Sequence, residues 1–160
     1  MNLIKALPLF ALTFVNNTFA VEATKIDVKN LYGSWDCQHE VVEPNSKMTI
    51  KVDYKVNYAT NGTSTGAGDV FFTVPGFPEL QYKALNKATW SLKGNQLSME
   101  STDISFTNVN NPQLDKLLNL KQILPASINE SGTILALSKD KVTVKSEAYS
   151  DSYTCLKVAN

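Results

Sequence analysis

The stretch Ile50-Lys51-Val52-Asp53-Tyr54-Lys55-Val56-Asn57-Tyr58 alternates an apolar residue with a charged or polar one from end to end. A period of two is what a β-strand with one buried and one wet face requires, because successive side chains leave opposite faces. The same phase recurs upstream in Trp35, Cys37, His39 and Val41, and downstream in Tyr82, Ala84, Asn86, Ala88, Trp90 and Leu92. Leu97 and Met99 continue it, whereas Ile104 and Phe106 lie in the opposite phase, which predicts a bulge near Ser101 to Asp103.

Turn-forming clusters at Glu43 to Ser46, Asn61-Gly62 to Gly66, Pro75 to Pro78, Lys93-Gly94-Asn95 and Ser138 to Asp140 cut these runs into a meander. Strands are expected over 34–42, 48–59, 67–74, 80–92, 96–108, 132–138, 141–147 and 151–158. One segment departs from the pattern. Asn111-Pro112 reads as a helix cap and first turn, and Leu114, Leu117, Leu118, Leu120 and Leu124 then recur at largely helical spacing until Pro125. A short amphipathic helix over 112–124 is therefore expected between the fifth and sixth strands.

An antiparallel meander with one apolar face removes its edges by closing on itself. The expected fold is all-β and mainly antiparallel: an eight-stranded up-and-down barrel with that one short helix. An open, curved sheet wrapped around the helix is the competing arrangement.

Compartment and chain ends fit closure. Residues 1–20 have the parts of a cleavable secretory signal, with Lys5, an apolar stretch from Ala6 to Val15, and a small-residue end at Thr18-Phe19-Ala20. The apolar stretch is broken by Pro8 and stopped at Asn16-Asn17, too short for a membrane span. With the first cysteine as late as Cys37, a lipid anchor has no attachment residue. A single domain over 21–160, secreted or periplasmic, is expected. Two cysteines in an oxidising compartment pair, and Cys37 in the first strand with Cys155 in the last would staple the barrel seam.

Composition narrows the function classes. The chain carries 15 basic and 15 acidic residues, and every basic one is lysine. Without arginine or a basic excess, neither bidentate reading of guanine nor tracking of a phosphate backbone is supported, so no nucleic-acid partner is expected. No cofactor motif is present. Once the cysteines are paired, His39 is left without the companions a zinc site needs. It also lacks a nucleophile elbow, so no catalytic residue is assigned and an enzyme is not expected.

Leu31-Tyr32-Gly33-Ser34-Trp35 resembles the Gly-x-Trp motif with which lipocalins begin their first strand. The eight-strand meander and the disulfide in an exported chain are similar too, and the nearest likeness is to small secreted bacterial lipocalin-like proteins. The resemblance implies carriage or sensing of a small apolar ligand inside the barrel. The inward phase then makes Trp35, His39, Tyr54, Tyr82, Asn86 and Phe106 the candidate ligand-binding residues. His39 and Asn86 are the sharpest, being polar on an otherwise apolar face, where an unpaired group costs about 1–3 kcal/mol.

A protein-binding module, such as an inhibitor or an envelope-complex subunit, is the alternative. It rests on the apolar run Phe71-Phe72-Thr73-Val74-Pro75-Gly76-Phe77-Pro78, which continues through a turn. The connections 74–79 and 109–131 each follow an odd-numbered strand and so leave the same barrel end. Phe72, Phe77, Leu114, Leu117 and Leu118 are accordingly the candidate mouth or partner surface, with Phe77 expected to meet the helix.

Overall fold

The computed structural model describes residues 26–43, 47–118, 124 and 126–159. The expected signal segment 1–20 lies outside them. After a 3-10 turn at Val28–Asn30, the chain runs through β1 (Gly33–Val42), β2 (Thr49–Tyr58), β3 (Thr63–Thr73), β4 (Leu80–Lys93) and β5 (Gln96–Asn108). A helix, α1 (Pro112–Leu118), precedes β6 (Asn129–Leu137), β7 (Lys141–Ser146) and β8 (Ser152–Lys157). Each strand pairs antiparallel with its sequence neighbour, and β1 pairs with β8, so the sheet is a closed barrel in the order β1 to β8. The open-sheet alternative is excluded by that last ladder.

The seam is stapled as expected. Cys37 and Cys155 face each other directly across β1 and β8, with Cα atoms 4.2 Å apart, and are joined by a disulfide. The bulge falls at Thr102, the residue skipped when Lys87 pairs with Asp103 and Ala88 with Ser101. At Gly94 a φ of +64° makes the tight β4–β5 turn, which glycine adopts without a Cβ clash.

Two strand starts differ from expectation by three residues or more. β3 begins at Thr63 rather than 67, because Gly66, like Gly68 in the expected strand, is an inward strand position and not a turn residue. The Tyr54 side chain lies over Gly66, where a Cβ would fall 1.6 Å from the tyrosine hydroxyl oxygen. β6 begins at Asn129 rather than 132, which places Glu130 and Gly132 in the barrel wall.

The core sits at one end, here the floor. Leu31, Trp35, Val56, Tyr58, Trp90, Leu97, Ile134 and Val142 are all buried there. Trp35 is fully enclosed, its indole nitrogen donating to the Leu31 carbonyl at 2.6 Å. The Lys157 ammonium stands 4.2 Å from a Trp35 ring centroid and donates to the Asn30 and Tyr32 carbonyls. That cation over the indole ties the end of β8 to the turn preceding β1. No helix among the described residues is long and apolar enough to cross a membrane. The disulfide fits a secreted or periplasmic protein.

Candidate functional site

Inward side chains do not fill the barrel evenly. Toward the floor they are buried, whereas toward the opposite end, the mouth, Val52, Tyr54, Asn86, Ile104, Phe106 and Tyr153 are only half-buried. The β3–β4 wall is the exception: Val70, Tyr82 and Ala84 are buried there. Accessible surface on inward positions of a closed barrel is surface on the lumen.

Between floor and mouth lies a polar layer contributed by strands on both sides of the seam. His39 on β1 meets Asp151, just before β8, with Nε2 2.5 Å from Oδ2. A carboxylate only accepts, so the proton of this bond sits on the imidazole nitrogen. The Tyr153 ring lies 4.8 Å from the His39 ring with its plane tilted 32°, and Tyr149 approaches edge-on at 6.5 Å. His39 thus has a partner within the fold, as a polar residue on an inward face must.

Glu130 completes the layer. Its strand neighbour is Met99, whose sulfur accepts from the Tyr58 hydroxyl in the core, so the glutamate points inward. Crowding by protein pushes its pKa above the ordinary glutamate range, an effect His39 partly offsets. By its solvent-accessible area Glu130 is nevertheless exposed. Both fit an inward strand position opposite Met99, where solvation is weaker than in bulk water.

The surrounding phenols respond in the same sense. Burial, then Glu130, then Asp151 push Tyr153 up to about 12. Burial raises Tyr54 as well, with Glu130 adding to it and a hydrogen bond with Asn86 opposing it. Tyr58 is raised by burial first, then by Tyr153, Glu130 and Tyr54. Asn86 lies beside Tyr54 across Gly66, and its Oδ1 is buried without a hydrogen-bond partner. The second carboxylate oxygen of Asp151 is in the same position.

A separate network closes the β3–β4 side of the mouth. Asp115 of α1 is buried and accepts from the Tyr82 hydroxyl and from Asn108 Nδ2, the latter at 3.2 Å. Asn108 Oδ1 accepts from the Asn111 backbone at 2.7 Å, and Phe72 packs edge-on to Tyr82 at 5.6 Å. The helix is therefore held by its carboxylate. Leu114 is half-buried, Leu117 is 79% exposed, and the Leu118 side chain lies outside the described residues.

The two connections expected to share this end do so, since Asn110 bonds both the Gln81 amide and the Glu79 carbonyl. Phe77 remains 59% exposed, so Phe77 and Leu117 do not bury one another. Of the six ligand-binding candidates, His39, Tyr54 and Asn86 come together in the polar layer, and Phe106 lies nearby opposite Ala84. Tyr82 belongs to the helix network and Trp35 to the floor.

Glu130, Asp151 and Tyr153 escaped the sequence reading of the site. Inward parity through Ile134, Gly132 and Glu130 was the available signal for the first. For Tyr153 it was its phase with Cys155.

The outer wall across β1 to β5 carries two open concavities of about 590 and 540 Å³. Among the charges around them, Lys83 pairs with Asp69 at 2.7 Å and Lys87 with Asp103 at 3.7 Å. Among the described residues there is no cluster of three or more metal-ligating side chains. The barrel is compatible with a lipocalin-like fold. No protein-family model matches the chain, and no curated protein matches it closely enough to count as a relative.

Proposed function

We propose that this is an exported, lipocalin-like binding protein that carries or senses a small, largely apolar ligand in the mouth half of its barrel. The observation that carries the reading is the uneven filling of the interior. Val52, Tyr54, Ile104, Phe106 and Tyr153 keep accessible surface inside a closed barrel whose floor is packed. Ligand sites are characteristically apolar concavities with a few convergent polar groups, and His39, Asn86 and Glu130 supply those groups here. Export is part of the same proposal and rests on residues 1–20 together with the disulfide.

The test is binding of an environment-sensitive apolar dye, expected at about one site per chain. Ala84 is 6% exposed and faces the mouth half, whereas Ala88 at 3% is deeper, opposite Ser64. Ala84→Phe should abolish dye binding and leave the circular dichroism spectrum intact. Unchanged binding in that variant moves the site out of the lumen, and no binding by the native protein sinks the reading.

Exposure at the mouth favours a second reading, a protein-binding module. Phe77, Val109 and Leu117 are 59%, 45% and 79% exposed at one barrel end. Replacing Phe77 and Leu117 with serine should leave stability within about 0.5 kcal/mol. If the pair also leaves every interaction of the native protein intact in a pull-down from its own compartment, the surface has no such role.

A further inference from the structure

Among the described residues, the buried side-chain atoms left without a hydrogen-bond partner are all acceptors. Glu130 carries a carboxyl for which no hydrogen bond or ion pair is formed among the described residues, and it occupies an inward strand position opposite Met99. Asn86 Oδ1 and Asp151 Oδ1 are acceptors without partners. No nitrogen is among the buried unpartnered side-chain atoms of the described residues. His39 already donates to Asp151. The strand lysines Lys51, Lys55, Lys83, Lys87 and Lys145 are all exposed and alternate with the inward residues, so none supplies a counter-charge.

Aromatic faces surround the same point. Tyr54 hydrogen-bonds with Asn86 and feels the Glu130 charge, and Tyr153 feels both Glu130 and Asp151. A carboxylate flanked by phenol rings, with the one imidazole that acts on it already engaged by Asp151, is complementary to a cation. Charge attraction, hydrogen bonding and the negative ring faces all favour the same head group. Beyond it, Val52, Ile104, Phe106 and Ala84 offer only apolar wall.

We propose that the ligand is a cationic amphiphile whose protonated amine is held by Glu130, with Tyr54, Tyr153 and Asn86 around it and its apolar body toward the mouth. This rests on the lumen being a ligand site. Asn86 acts as an acceptor for a second N–H of the amine, while the His39–Asp151 pair fixes the Tyr153 ring against which the head group rests.

Three probes of one chain length, octylamine, octanol and octanoate, are titrated calorimetrically below their micellar concentrations at pH 7. The amine should bind about tenfold to a hundredfold more tightly than the alcohol, the range of one hydrogen bond to a charged group. Octanoate should bind more weakly than either. Glu130→Gln should bring the amine to within a few-fold of the alcohol measured on the same variant. Octanoate binding as tightly as octylamine, or an amine preference that survives E130Q in a folded variant, overturns the proposal and leaves the lumen reading standing. Failure of all three probes to bind folded native protein overturns both.

Discussion

Cutting the seam should cost about 5 kcal/mol. The disulfide joins residues 118 positions apart. On the chain-entropy relation a loop of that length removes about 16 cal/mol/K from the unfolded ensemble, or about 5 kcal/mol at 25 °C. Native domains are commonly stable by only about 5–15 kcal/mol, so the bond governs whether the barrel survives heating. The perturbation is Cys37→Ala with Cys155→Ala, which leaves no free thiol and introduces no buried hydroxyl. Both cysteines are buried, at 8% and 3% exposure, so the small void adds to the loss. At about 2–4 °C per kcal/mol for a domain of this size, melting should fall by about 10–20 °C. Urea unfolding is followed by the fluorescence of Trp35 and Trp90, both buried in the floor. The denaturant slope should rise, because a chain freed of its cross-link exposes more surface when unfolded. Native protein unfolded under reductant should match the double variant. A loss below about 1 kcal/mol with an unchanged slope would mean that the β1–β8 ladder holds the seam without help from the bond.

Asp115→Ala should destabilise by about 2–4 kcal/mol, since the Tyr82 hydroxyl and the Asn108 amide each lose a buried acceptor. Hydrogen exchange in α1 should accelerate with it, and unchanged melting and exchange would show that the helix is held by other means. Glu130→Gln should be more stable than the native protein at pH 7. Its folded pKa lies above the unfolded one, so the stability associated with the group is complete below the unfolded glutamate value and is lost as pH rises through the folded value. Thermal melts should show the gap closing as pH falls below the ordinary glutamate range; a gap independent of pH contradicts this. Tyr153, raised by burial and then by Glu130 to about 12, should leave the protein progressively less stable from pH 10 to about 12, where the unfolded phenol ionises and the folded one does not. Urea midpoints flat across that window would refute it.

Most of the barrel was legible because alternation is enforced wherever one strand face is apolar. Ile50 to Tyr58, Trp35 to Val41 and Tyr82 to Leu92 all declare their inward side, and Thr102 was found by the phase change it causes. Legibility failed where the lumen is least like a core. Gly66 read as a turn residue because the reason for it, the Tyr54 side chain laid across the neighbouring strand, is a long-range contact. Glu130 was lost because a charged inward residue interrupts the pattern by which inward residues are recognised. Only His39 and Asn86, flanked on both sides by unambiguous apolar positions, could be picked out as polar exceptions. The helix was recognised from its leucines, whereas its buried anchor is Asp115. Lys157 over Trp35 joins opposite ends of the described chain, and no local pattern announces it.

Closure of β1 onto β8 also makes the barrel a ring in which the position of the chain break is arbitrary. Val158 donates to Ser34 and Lys157 reaches Asn30, so the two ends of the fold lie side by side. A permuted chain could join them through a short linker and open instead at the Gly94 turn, leaving every ladder in place. The disulfide would then span only about 15–25 residues instead of 118, and the same bond between the same atoms would contribute roughly 3 kcal/mol rather than 5. Its strength as a staple is thus a property of the route the chain takes between the two sulfurs, and connectivity alone can tune it.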